Sequence, residues 1–231
     1  MNLRQGIAVA ALCGALTACV STKTVPLDAG NSAAFFGKSV VLAERGAADF
    51  AVTRVGNSWP GALLGPVGGA IAAHSALSEG NELVHNNQVD DPAIASGHAI
   101  LAALAAKYNL VVRDAGGIPV HGEQPEEIRK AYPGIDFVLD IETLVWTAIY
   151  FPGDWSHFGI IYRARLRLFD GRTGKVVAEA SCIHKPEKQP DSPTYEQLIQ
   201  DGAARLKVLS NAAGDACRDE LRSKLALTAA Q

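Results

Sequence analysis

Three stretches in the second half of the chain constrain its fold more than any other feature. Phe137 to Tyr150, Phe158 to Phe169 and Lys175 to Ile183 are rich in apolar, β-branched and aromatic residues, the composition of strands. Between the last two, Asp170-Gly171-Arg172-Thr173-Gly174 supplies the residues that tight turns need. The order predicts an antiparallel meander. Its middle strand alternates most cleanly: Ile160, Tyr162, Ala164, Leu166 and Leu168 face a core, while Arg163, Arg165 and Arg167 face away from it. Counting back around the turn sets Glu179 opposite Arg165, and counting around the earlier loop brings Glu142 to its other flank. Acids within reach favour a solvated charge ladder, at a few tenths of a kcal/mol per pair, over an anion-binding arginine row.

Helical signals surround this unit. Asp91-Pro92 offers an N-cap and a first-turn proline, followed by Ile94, His98, Leu101, Ala105 and Tyr108 along one face, with Asn109 as a stop. On that face His98 reads as a core group and not as a ligand. Pro125 to Tyr132 is a short helix. Tyr195 to Leu209 is another, burying Leu198, Ile199, Ala203, Leu206 and Leu209, and Asp215 to about Leu227 continues as a further helical stretch. Ser39 to Glu44, Phe50 to Val55 and Leu110 to Arg113 read as strands. The fold class is therefore α+β, an antiparallel or mixed sheet with helices packed on one face, in a single domain over 38–231. Trp59 to Leu77 is rich in glycine and alanine, with its helix starting near Val67. It suits tight packing on the protein's own sheet, or contact with a membrane surface or another subunit.

The chain begins with a cationic residue, Arg4, and an apolar run from Ile7 to Leu16. That is the length of an export-signal core and too short for a bilayer span. Leu16-Thr17-Ala18-Cys19 closes it and resembles the lipobox of bacterial lipoproteins. The resemblance implies removal of residues 1–18, a diacylglyceryl thioether on Cys19 and acylation of the new amine, so that palmitate-type chains anchor the protein. The alternative is a secretory signal with an incidental cysteine. Val20 in place of Asp after the cysteine resembles lipoproteins sorted to the periplasmic face of the outer membrane. Residues 19–37 then read as a mobile tether, and the membrane as a partner through the N-terminal lipid.

Two further cysteines remain, Cys182 and Cys217, and an oxidising periplasm favours a disulfide between them. A metal or redox pair is the alternative, but neither cysteine lies in a CxxC or at ligand spacing from a histidine. A net charge of −3 without a basic run gives nucleic acid no purchase. The six histidines are scattered, and there is no HExxH, G-x-S-x-G elbow, P-loop or G-x-G-x-x-G. No metal, cofactor or catalytic residue is expected, and the protein reads as a non-enzyme. The one carboxylate grouping is Asp136, Asp140 and Glu142, which alternation puts on one strand face. The aromatic hairpin tip from Tyr150 to Phe158 holds Phe151, Trp155 and Phe158. These rings either present themselves to a partner or the lipid interface, or fold back over the end of the sheet.

Phe137-Val-Leu-Asp140, the strand Tyr162 to Asp170 and the turn Thr173-Gly174-Lys175, followed by a C-terminal helix, resemble periplasmic lipoprotein domains of the CsgG and TolB-amino-terminal kind. The resemblance implies a non-catalytic scaffold or accessory role in envelope assembly, export or transport, with an envelope protein as partner. The pore-forming segments of secretion channels have no counterpart here. The alternatives are a periplasmic enzyme using Asp136, Asp140 and Glu142, and a carrier of lipid or a small ligand in an apolar cleft beside the glycine-rich helix.

Overall fold

The long hairpin dominates the molecule. The computed structural model describes residues 24–27, 32–54 and 65–227. The export signal, Cys19 and the start of the glycine-rich segment lie outside them. The elements are α1 (Ser32–Phe35), β1 (Ser39–Leu42), β2 (Glu44–Arg45), β3 (Ala51–Thr53), α2 (Gly65–Asn87), α3 (Pro92–Tyr108), β4 (Val111–Val112), β5 (Pro119–Val120), α4 (Pro125–Ala131), β6 (Phe137–Phe151), β7 (Asp154–Asp170), β8 (Val176–His184) and α5 (Tyr195–Lys224). The main sheet runs β4-β1-β6-β7-β8, with β3 also on β6. β6, β7 and β8 form the expected antiparallel meander. β1, β3 and β4 add parallel pairs, so the sheet is mixed and the chain a single α+β domain. β2 and β5 form a separate parallel pair.

Along β7 the alternation holds: Ile160, Tyr162, Ala164, Leu166 and Leu168 are all buried in the main core. They meet Ile100 and Leu104 of α3 and Leu206, Ala213 and Leu221 of α5. A smaller layer covers part of the opposite face, where Ile128 and Tyr132 with Val120 pack on Val41, Val138 and Phe169. α4, which builds this layer, starts on Pro125, carries Glu126 and Glu127 in its first turn and Arg129 and Lys130 in its last, and so complements its dipole at both ends. The register differs from simple counting on one side. Arg165 faces Glu142 as counted, but Glu179 faces Arg167 and not Arg165: the turn closes from Asp170 to Lys175, one residue later than the count assumes, and an irregularity between Leu168 and Phe169 adds the second position.

α3 has the expected ends: Asp91 accepts the Ala93 N–H and Asn109 is left-handed. Its buried stripe is rotated from the expected one. Ala93, Ser96, Gly97, Ile100 and Leu104 face inward, while Ile94 and His98 are exposed. Small residues let the helix lie close to the sheet, since a Cβ on Gly97 would sit 2.9 Å from the Ile141 side chain. The boundary between the two expected C-terminal helices lies elsewhere than expected. Gly214 does not end a helix but admits Pro92, whose Cβ would lie 2.5 Å from a side chain there. The break falls earlier, at Gln200 to Ala203. Gly80 of α2 is tighter still, its Cβ position 2.0 Å from the Phe50 carbonyl oxygen. Gly80→Ala is expected to push α2 off β3 and lower the unfolding free energy by roughly 1–3 kcal/mol in urea titration. An unchanged midpoint would refute that contact.

Part of the expected tether belongs to the domain. Val25 pairs with Glu179 on the outer edge of β8, Leu27 is buried, and Phe35 stacks between Tyr108 and Phe137 at 5.1 and 4.7 Å. An edge strand offers unpaired backbone groups, and Val25 takes one pair of them.

Candidate functional site

The three carboxylates suggested as a catalytic group are each committed elsewhere. Asp136 accepts the Ser39 N–H and hydroxyl, both at 2.9 Å, with Lys38 at 3.5 Å. The Ser39 N–H, with that hydroxyl and Lys38, holds its carboxyl below the ordinary range, which suits a fixed anion better than a proton donor. Asp140 has no exposed surface and lies between Arg45 at 2.5 Å and Arg167 at 2.8 Å. Glu142 receives Arg165 at 2.6 Å, and Glu123 joins the same guanidinium at 3.1 Å. Three arginines and three carboxylates thus close a network without a surplus charge.

The arginine row is not a solvated ladder. Arg165 and Arg167 are only 8% and 6% exposed. The segment leading into α4 lies over them: the Glu123 carbonyl accepts from Arg167 at 2.9 Å and the Gly122 carbonyl from Arg45 at 3.2 Å. Position along β7 identifies the face correctly, but burial of that face depends on a segment about forty residues upstream, which no local pattern reports.

Beyond the carboxyl ends of β1 and β4, beside β6, opens a cleft of about 640 Å³, with Leu42, Arg45, Ile94, His98, Arg113 and Thr143 among its lining residues. Crevices at the carboxyl ends of parallel strands are where open sheets commonly bind ligands. Asp91 supports one wall. It accepts from Ala93 N at 2.9 Å, Ala48 N at 3.2 Å and Thr143 Oγ1 at 2.6 Å. Thr143 spends its one proton on Asp91, so the Tyr162 hydroxyl, 2.9 Å away, donates to Thr143. Burial pushes that hydroxyl far above its ordinary range, so it stays protonated. The cleft borders α3, not the glycine-rich helix, and His98 lies exposed on it instead of in the core. Among the described residues, no group of three His, Cys, Asp or Glu side chains is placed to hold a metal.

The structure divides the aromatic hairpin tip. Phe151 and Phe158 are 6% and 4% exposed and cover the end of the sheet, Phe158 stacking on Tyr195 at 5.9 Å, so neither presents itself to a partner. Trp155 is 60% exposed and rests on Tyr150 at 4.6 Å. Trp155→Ala is expected to leave the melting temperature nearly unchanged, within about 0.5 kcal/mol of stability, as for other surface substitutions. A large fall would make the ring part of the core. Cys182 and Cys217 are bonded, with Cα atoms 5.2 Å apart.

No protein-family model matches the chain, and no curated protein matches it. Solved structures similar to it include lipoprotein GNA1162 from Neisseria meningitidis, with 16% identity, TM-score 0.27, and cover of 75% of this chain and 99% of that one. A neuraminyllactose-binding hemagglutinin homolog from Helicobacter pylori has 11% identity, TM-score 0.37, and cover of 88% and 87%. A PelC dodecamer from Paraburkholderia phytofirmans has 16% identity, TM-score 0.27, and cover of 91% and 96%. At these scores the likenesses carry no functional argument.

Proposed function

We propose that the protein is a lipid-anchored, non-catalytic accessory factor of the bacterial envelope, held at the periplasmic face of the outer membrane through Cys19, whose cleft beside α3 receives another envelope component. The observation that supports the non-catalytic reading most is the ion-pair network, because Asp140 is buried between two guanidiniums and Glu142 is tied through Oε2 to Arg165, so both serve as structural partners of arginines. The anchor rests on the lipobox resemblance. Among the described residues, no helix is long and apolar enough to cross a membrane. The test places a photocrosslinking residue at Ile94 in intact cells. A discrete protein adduct, absent from the same substitution at Val208 on the exposed side of α5, is the expected result. Glu142→Gln is expected to preserve the cellular phenotype. Its loss in stably folded protein would replace this reading with the enzyme one. The cleft also favours the carrier reading, which a small molecule copurifying in place of a protein adduct would select.

A further inference from the structure

We infer that the tip of the β6–β7 hairpin, with Trp155 beside its turn, is a second contact with the lipid surface. This rests on the Cys19 anchor proposed above and adds an orientation to it.

The chain direction at Val25 is the first argument. Val25 N–H donates to the Glu179 carbonyl at 2.7 Å, and Glu179 N–H to the Val25 carbonyl at 2.9 Å. The pairing is antiparallel. Traced from Val25 toward its N-terminus, the polypeptide therefore heads the way β8 runs, toward His184. His184 lies opposite Tyr162, and β7 extends from there to Asp154 at the hairpin tip. At Val25 the N-terminal direction of the chain thus points toward the end of the sheet that carries the hairpin tip.

Reach is the second argument. The six residues from Cys19 to Val25 span at most about 20 Å when extended. Glu179 faces Arg167, and the strand from Arg167 to Asp154 covers roughly 43 Å at the usual rise. With Val25 no further than that from the surface, an inclination of under about 30° between strand axis and membrane plane brings the tip down to the headgroups.

The chemistry of the tip fits that depth. Trp155 and Tyr150 each join an apolar ring to a polar edge, the side chains favoured at the membrane–water interface. Asp154, the acid beside them, is ion-paired with Lys188 at 2.5 Å and lies 2.7 Å from the His157 ring Nδ1. A single exposed ring on a tight turn is small beside the ~800 Å² that a partner contributes to a stable protein interface, whereas a lipid surface needs no shape complement.

The experiment uses the full, processed chain carrying Trp59→Phe, reconstituted in phosphatidylcholine vesicles with brominated acyl chains. Trp146 is core and serves as an internal reference. Expected are a blue shift and loss of most of the Trp155 emission to bromine, both absent when Trp155→Phe is added. The difference spectrum between wild type and Trp155→Phe gives the same readout should Trp59→Phe impair folding. Unquenched emission at the wavelength of an exposed tryptophan overturns the inference, and so does a blue shift without quenching, which assigns the tip to protein contact. Mass spectrometry of the Cys19 peptide separates the two levels. An acylated Cys19 with unquenched Trp155 removes only the second contact, while an unmodified Cys19 removes the anchor and the contact together.

Discussion

Asp140→Ala is expected to lower the unfolding free energy by about 3–5 kcal/mol, the cost of leaving buried charges without their partner. Asp140 is fully buried and shared by two guanidiniums, those of Arg45 and Arg167, whose side chains are 13% and 8% exposed. The network has little slack, since the Nε groups of Arg165 and Arg167 are already buried without a hydrogen bond. A loss of that size takes a large share of the 5–15 kcal/mol typical of a domain, so thermal melting should fall well outside experimental error. A second variant separates lost charge balance from lost volume. Arg45→Met, Asp140→Leu and Arg167→Met together should recover much of the stability, because apolar groups of similar size often replace a buried ion set at little cost. The opposite outcome is equally informative. Asp140→Ala with unchanged melting and a lost cellular phenotype would make Asp140 a functional acid and end the non-catalytic reading.

The same residues mark where local sequence stops carrying information. The β7 alternation and the Glu142–Arg165 pairing are legible because side-chain period and hairpin counting are local properties. So is the start of α3, where Asp91 and Pro92 carry the capping chemistry within two residues. The role of Arg45 is not legible, since it meets Asp140 across 95 positions of chain and sits in no recognisable pattern. The parallel pairs are hidden for a similar reason: Val40 meets Phe137 with no turn between them to announce it. Helix faces fail where small residues invert the usual rule. Ile94 looks like core and Gly97 like a flaw, yet Gly97 is the residue that lets the helix close on Ile141, which rolls Ile94 and His98 out to line the cleft. The cleft is thus a product of loops and strand ends meeting, and no run of residues encodes it alone.

Reduction of the Cys182–Cys217 bond is expected to cost about 3–4 kcal/mol, from the loop entropy that a crosslink removes from the unfolded chain. The bond closes a 35-residue separation and ties the end of β8 to the C-terminal half of α5. That helix otherwise holds the sheet through Leu206, Ala213 and Leu221, so the bond braces a contact already apolar and should not be needed to form it. Urea titration with and without reductant checks this. The midpoint should fall on reduction and the slope should rise, because an uncrosslinked unfolded chain exposes more surface. Cys182→Ala with Cys217→Ala should fall slightly further than reduced wild type, since both sulfurs are buried and their removal leaves space. Equal midpoints after thiol titration has proved the bond open would mean that packing alone fixes α5. The expected cost also couples folding to compartment. A chain retained in a reducing cytoplasm lacks the crosslink, so protein made without residues 1–18 should melt lower and be degraded faster than the exported form, and oxidation after purification should restore the difference.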